Sequence, residues 1–211
     1  MTMQTLIGKK IGMTRVYDDA GVHVPVTVVQ VGPCVVTQRK TTETDQYEAV
    51  QLGFEEQKES RMNKPEKGHF AKAGAAPQKI LREVRVEADE EAKPGDILTA
   101  SLFEGVKFVD VLGKTKGRGF QGVVRRYRVA GGPATHGSGT HRRIGSIGNR
   151  HWPSRVFKNK KMPGQMGSVD ITTQNLRVVK VLTEDNALLI EGAVPGPMGG
   201  IVVVRKAIKK A

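Results

Sequence analysis

The run Val106-Lys107-Phe108-Val109-Asp110-Val111-Leu112-Gly113-Lys114-Thr115-Lys116-Gly117-Arg118-Gly119 changes character at its middle, and that change decides the fold. Residues 106–112 are mainly apolar, with β-branched Val106, Val109 and Val111, and read as a strand. Residues 113–119 are basic and rich in glycine. From residue 111 to residue 169 there is no aspartate or glutamate, while Lys114, Lys116, Arg118, Arg125, Arg126, Arg128, Arg142, Arg143, Arg150, Arg155, Lys158, Lys160 and Lys161 place thirteen positive charges there. Without these thirteen, the 34 Lys+Arg fall to 21 against 21 Asp+Glu, so the whole formal charge of +13 sits in this one segment. A stretch this long without an acid cannot screen its own repulsion, and an external polyanion is its natural counter-charge. Nucleic acid is the polyanion that fits.

Strand-like sequence occurs on both sides of the basic segment. Val22, Val24, Val26 and Val28 alternate at period two after an Asp18-Asp19-Ala20-Gly21 turn, Gly32-Pro33 interrupts, residues 34–37 resume, and residues 48–54 form another candidate. Beyond the segment, residues 171–190 contain two β-rich runs around Glu184-Asp185-Asn186, a hairpin turn, and residues 201–204 supply a last strand. Val28, Val109, Val179 and Val203 then have to share one sheet. The expected fold class is mainly β: a small barrel built from residues 1–110 and 170–211, with residues 111–169 as an excursion. Residues 55 to about 100 carry charges of both signs, a helix start at Pro65 and one alternating strand at 80–86, and read as a polar α/β insertion. A loop as long as the excursion counts against an assignment unless it is functional. Its composition says that it is, and only a short helix over 119–127 is expected inside it.

Composition also removes alternatives. Cys34 is the single cysteine, which excludes an internal disulfide and a cysteine-rich zinc site, and beside Val35 and Val36 it reads as a small buried apolar residue. No apolar run approaches the ~20 residues of a membrane span, and residues 1–6 carry no targeting pattern, so the expectation is a soluble cytosolic protein with no membrane partner.

Gly117-Arg118-Gly119-Phe120-Gln121-Gly122 matches the G-x-G-x-x-G pattern between a predicted strand and a predicted helix. A dinucleotide site wants an acid roughly 20 positions on. The first acid after Gly122 is Asp170, so the glycines read as phosphate-backbone contacts and no cofactor is expected. His136 and His141 flank Ser138, but neither cysteine nor carboxylate lies nearby to complete a metal site or a triad. They read as RNA contacts, and no catalytic residue, metal ligand or small-molecule substrate is expected. Phe120, Tyr127, Trp152 and Phe157 interleave with the cations, as in surfaces that stack unpaired bases. Phe120 and Phe157 are expected to pin the ends of the excursion to the barrel. Trp152, the only tryptophan, stands among polar and turn-forming residues and reads as an RNA or interface contact.

Several ordered motifs resemble one family over essentially the whole chain. Leu6-Ile7-Gly8-Lys9-Lys10-Ile11-Gly12-Met13-Thr14 looks like the amino-terminal signature of the bacterial form of the universal large-subunit ribosomal protein L-three family. Phe103, Asp110, Gly113, Thr115, Gly117, Arg118, Gly119, Gly122 and Arg126 are similar to its central motif. Gly131-Gly132-Pro133-Ala134-Thr135-His136-Gly137, Gly145-Ser146-Ile147-Gly148 and Lys160-Lys161-Met162-Pro163-Gly164-Gln165-Met166-Gly167 continue the likeness, which is weakest between residues 55 and 94.

The resemblance implies a six-stranded β-barrel of the translation-factor kind with a long extension threading the large-subunit rRNA toward the peptidyl-transferase centre. It implies binding near the 3′ end of that rRNA, a part in starting subunit assembly, and the large-subunit proteins numbered fourteen and nineteen as neighbours, in the cytoplasmic ribosome. Residues 114–126 then match the root of the extension, and Ser146, Gly148, Asn149, Arg150, His151, Trp152 and Pro153 its tip. Lys9 and Lys10 join the thirteen cations, His136 and His141 as expected rRNA contacts. Two departures stand out: no glutamine lies between Gln121 and Gln165, so the methylated glutamine of some relatives is not carried over, and Trp152 replaces a residue usually small and polar. The reading is a non-enzymatic constituent of the large subunit. Alternatives are a free RNA chaperone or assembly factor with a basic arm, which a high-salt wash would strip from subunits, and a nucleotide-dependent RNA-modifying protein, which would bind nucleotide tightly.

Overall fold

The computed structural model describes residues 4–86 and 92–210. Its strands are β1 (Thr5–Tyr17), β2 (His23–Val31), β3 (Cys34–Lys40), β4 (Ala49–Glu56), β5 (Gln78–Arg85), β6 (Ile97–Leu98), β7 (Phe108–Lys114), β8 (Gly119–Gln121), β9 (Gly164–Met166), β10 (Asp170–Leu182), β11 (Ala187–Glu191) and β12 (Ile201–Lys206). Helices are short: α1 (Thr42–Asp45), α2 (Lys64–Ala73) and α3 (Val123–Tyr127). The chain divides into two compact units, one formed by Met1–Lys114 with Asp170–Ala211, the other by Thr115–Val169.

In the first unit six strands pair antiparallel in the order β1-β12-β7-β10-β11-β2, and β2 returns to β1, so the ladder closes on itself. Apolar alternation on both sides of the basic segment gives these strands the buried face that the closed sheet encloses. Val203 lies opposite Leu112, Val28 opposite Leu189, and Val109 opposite Leu176, which puts Val28, Val109, Val179 and Val203 in one sheet as expected. Residues 183–186 make the turn between β10 and β11. Leu6, Val29, Val31, Val109, Val111, Leu188, Ile190, Val202 and Val204 fill the core, each buried apolar side chain of this size contributing about 1.5–3 kcal/mol.

A second sheet, ordered β5-β4-β3-β6, lies in the same unit and shares the core through Cys34, Val36, Val50, Leu52 and Phe54. Here the sequence expectation needs correcting. Residues 34–37 and, from Ala49 on, 48–54 are strand, but they belong to this sheet and not to the closed one. Alternation specifies a strand's buried face and not its neighbour, so the polar insertion is larger than 55 to about 100 and begins with β3. The helix expected at Pro65 is α2: Asn63 and Glu66 form a capping box, Pro65 sits in the first turn, and Gly74 ends it. The strand expected at 80–86 is β5. Residues 87–91, within that insertion, and residues 1–3 lie outside the described residues.

Two smaller corrections concern local pattern. Val24 and Val26 are buried but Val28 is half-buried, because the inward phase of β2 switches to Thr27, Val29 and Val31. Strand β7 runs on to Lys114 and β10 starts at Asp170, so the strand pair reaches into the segment expected to leave the fold at residue 111. Cys34 is buried as expected, its thiol donating to the Ile7 carbonyl; desolvation pushes its pKa up to about 11, and it is inert at neutral pH.

Candidate nucleic-acid interface

Thr115–Val169 has almost no core: Val123 is its one buried residue, at 2% exposure. Backbone pairing organises its root. Thr115 N–H donates to the Val169 carbonyl at 2.9 Å, Arg118 N–H to the Met166 carbonyl at 2.9 Å, and β8 pairs with β9 through Phe120 and Gln165. Gly167 has φ +74° and lies so close to the Lys116 carbonyl that a Cβ would sit 2.1 Å from it. A second close approach lies further out, where a Cβ on Gly131 would sit 2.1 Å from the His141 carbonyl oxygen. At these two positions glycine lets the backbone approach closely where no hydrophobic core forms.

The helix in this unit begins at Val123, with Gly122 as its cap, and not at residue 119. Residues 119–121 are already committed to the β8–β9 pair, and Gly122 starts the turn. Its last turn carries Arg125 and Arg126, and cations there suit the helix dipole. Arg125 Nη1 donates to Gln121 Oε1 at 3.3 Å. Arg126 Nη1 donates to the Met162 carbonyl at 2.9 Å, and its guanidinium lies 4.9 Å from the centre of the Tyr127 ring. Lys161 reaches the same ring at 5.9 Å, so Tyr127 gathers cations from both passes of the chain.

Lys114, Lys116, Arg118, Arg125, Arg128, Arg142, Arg143, Arg150, Arg155, Lys158, Lys160 and Lys161 are all exposed, and Arg126 is half-buried. The sequence between residues 111 and 169 offers these cations no carboxylate. His141 Nδ1 is 3.0 Å from the Pro133 carbonyl, and His136 is exposed with φ +59°. At residues 146–153 Ser146 Oγ donates to the Gly148 carbonyl at 2.8 Å, while Asn149, Arg150, His151 and Trp152 are exposed, Trp152 to 80%, and Pro153 is half-buried. Phe120 and Phe157 are 76% and 57% exposed, so neither is the buried anchor the sequence suggested. Both stand on surfaces where no apolar layer forms, and Arg155 lies over the Phe157 ring at 6.0 Å.

Lys9 and Lys10 turn out differently from the arm. Lys9 Nζ donates to Glu55 Oε1 at 2.7 Å, and Glu55 Oε2 accepts from Lys79 at 2.8 Å. Lys10 is 8% exposed, and its ammonium donates to the carbonyls of Val194 at 2.7 Å and Gly196 at 3.3 Å. A buried ammonium satisfied by carbonyls serves the fold, so the expected RNA contact at Lys10 is replaced by a structural one. Sequence reading also passed over cations outside the basic segment. Lys107, Lys206 and Lys210 line a cavity of about 380 Å³ with Gln4, Glu104 and Phe108, and Lys210 Nζ stands 4.3 Å from the Phe108 ring centre. The neutral sum of charge outside the arm concealed this local grouping. Among the described residues no three His, Cys, Asp or Glu side chains gather as a metal would require, and no helix is long and apolar enough to cross a membrane.

Exposed guanidinium and ammonium groups on a carboxylate-free, glycine-rich backbone have the chemistry that a polyanion would require. Comparison with known proteins gives the chain a family. Residues 79–188 match the family model described as Ribosomal protein L3. Three proteins named Large ribosomal subunit protein uL3 are each 50% identical to the chain. That of Heliobacterium modesticaldum aligns over 209 residues, 99% of both chains. That of Pelobacter propionicus aligns over 204 residues and that of Thermotoga maritima over 207, each covering 97% of this chain and 98% of the relative. The chain belongs to the ribosomal protein L3 family, which is structural and non-enzymatic.

Proposed function

We propose that this chain is a structural constituent of the bacterial large ribosomal subunit, working in the cytoplasm, whose residues 111–169 penetrate and hold large-subunit rRNA. The observation that carries the reading is the concentration of the whole +13 charge in an acid-free segment with nearly every cation exposed. Lys114, Lys116, Arg118, Arg125, Arg126 and Arg128 contact phosphates at the root. Arg142, Arg143, Arg155, Lys158, Lys160 and Lys161 continue along both passes, with His136 and His141 as polar contacts. Ser146, Gly148, Asn149, Arg150, His151, Trp152 and Pro153 form the tip, directed toward the peptidyl-transferase centre. The closed six-strand ladder is the translation-factor-like barrel that anchors this segment near the 3′ end of the rRNA and starts subunit assembly there. Proteins numbered fourteen and nineteen are its neighbours.

Phosphate contacts make the reading measurable. If about half of the thirteen cations each neutralise one phosphate, log K against log salt for the rRNA site slopes at about −4 to −6. Filter binding of the full chain to a fragment from the 3′ region of the rRNA, across a salt series, reads this directly. A slope near zero sinks the proposal. Loss of the protein from mature subunits in a high-salt wash would instead favour a free RNA chaperone.

A further inference from the structure

Strand β1 is longer than the sheet it belongs to. Its residues Thr5 to Lys9 pair with β12 on one side, while the β2 side stays paired out to Tyr17 opposite His23. Lys10 makes the last backbone contacts on the β12 side, donating to the Gly200 carbonyl at 2.9 Å and accepting from Gly199 N–H at 2.7 Å. Beyond it, Met13 to Tyr17 have β2 on one edge and, among the described residues, no strand on the other. The result is a two-stranded ribbon. Such ribbons are marginal alone, and an open edge is a template for another chain.

The side chains point the same way. Met13 and Tyr17, 56% and 67% exposed, share a period-two row of β1 with the exposed Arg15 between them, while Ile11, 46% exposed, lies where the register shifts between Lys10 and Gly12, and Met198, whose methyl lies 3.4 Å from where a Gly12 Cβ would be, is 74% exposed. Tyr17 stacks edge-on against His23 at 5.9 Å, which fixes the outer end of the row. The two edges of the ribbon are unequal. Pro25 gives β2 no N–H, and its carbonyl already accepts from Gly192 at 2.9 Å. The β1 edge has no such guard. Charge then separates protein from RNA as occupant: residues 11–26 carry Arg15 against Asp18 and Asp19, a net −1 in a chain of net +13. A polyanion gains nothing there.

We propose that the β1 edge over Met13 to Tyr17 is a strand-addition site for another protein. Its occupant is an extended segment with apolar residues facing Met13 and Tyr17, a polar residue facing Arg15 between them, and a basic residue at the end that meets Asp19. Main-chain hydrogen bonds give such a contact its strength, and the alternate side chains its selectivity. The inference is independent of the RNA reading of residues 111–169.

The test places a photoreactive benzoylphenylalanine at position 13 of the full chain, in cells where it is the only copy, and maps the crosslinks by mass spectrometry. Attachment to a defined extended segment of a different protein is expected. A synthetic peptide of that segment should bind the purified full chain, slow amide exchange at residues 13–17, and lose at least about tenfold in affinity on Met13→Asp or Tyr17→Asp. Both positions are exposed, so an unchanged thermal midpoint is expected of the variants. Crosslinks confined to RNA or to a second copy of this chain, no crosslink at all, or peptide binding without protection of residues 13–17 would each overturn the proposal.

Discussion

Asp110 Oδ1 accepts the backbone N–H of Asn175 at 2.9 Å, tying β7 to β10 across the 65 residues that separate them. Asn175 has φ +58° and lies where the β7–β10 register shifts between Thr173 and Leu176. Asp110 is 1% exposed, and its other oxygen faces Arg205 Nη2 of β12 at 3.5 Å. One carboxylate therefore holds a bulge and touches three strands of the closed sheet. Asp110→Ala should cost about 2–3 kcal/mol, because the Asn175 amide loses its acceptor in a half-buried site. Urea unfolding of the full chain reads this, and a change within error would show that the bulge holds itself.

Lys10 and Arg142 should separate fold from binding. Lys10→Ala strips donors from the Val194 and Gly196 carbonyls and is expected to lower stability by about 1–3 kcal/mol while leaving the salt slope of RNA binding unchanged. Arg142→Ala alters an exposed cation, and should leave stability unchanged while flattening the slope by somewhat under one unit. Equal behaviour of the two variants in paired unfolding and salt-titration experiments would contradict the division.

Removing residues 116–166 and joining the ends with a short Gly/Ser linker should leave a cooperative unfolding transition. The unit formed by Met1–Lys114 and Asp170–Ala211 holds nearly all of the buried apolar residues, and loop-closure entropy changes slowly with length. Calorimetry is the appropriate measurement, since the deletion removes the only tryptophan. A broad, non-cooperative endotherm would show that the arm is part of the folding unit.

Acid should weaken the protein through a small set of glutamates. Hydrogen bonds from Lys79 and then Lys9 hold the Glu55 carboxyl below its ordinary range, as Lys40 and Tyr47 do for Glu83. A depressed native pKa means that the unfolded chain binds the proton more readily, so this stability is fully present above about pH 4.3 and is lost as pH falls through the native values. Glu55→Gln should lower the thermal midpoint at pH 7 and narrow its fall on acidification. Parallel melting curves for wild type and variant from pH 7 to pH 3 would argue against a role for the Lys9–Glu55–Lys79 bridge.

Trp152 is expected to affect what the ribosome does more than whether the protein is incorporated. A single ring stacked on a base contributes ~1–3 kcal/mol, while the phosphate contacts proposed along the arm would retain the chain. Subunits carrying Trp152→Ala should contain normal amounts of the protein, with altered chemical reactivity of rRNA bases around the tip. Unchanged probing with wild-type peptidyl transfer would make Trp152 an incidental surface residue.

Strand positions and the charge boundary were legible because both are written in single-residue patterns: valines at period two, and an acid-free run. Partner choice was not. Nothing in the alternation of Cys34 to Thr37 says that it pairs with Phe54 and Leu98 and not with β2, since sheet neighbours are chosen by packing far away in sequence. Lys10 escaped for a related reason. Its neighbour Lys9 forms an ion pair, and only the three-dimensional course of residues 194–196 brings carbonyls to the second ammonium. Phe120 and Phe157 misled because aromatic residues usually mark cores, whereas this segment has only Val123 buried.

Strand β12 sits between β1 and β7, so a strand synthesised after residues 115–169 is the one that joins two made before them. A ribosome making this chain must therefore release residues 115–169 while the ladder still lacks its closing member. For that interval the cations are in solution on an unfinished sheet, and the nascent chain is open to any polyanion within reach. If residues 111–169 bind RNA as proposed, order of synthesis lets them meet it before the ladder closes.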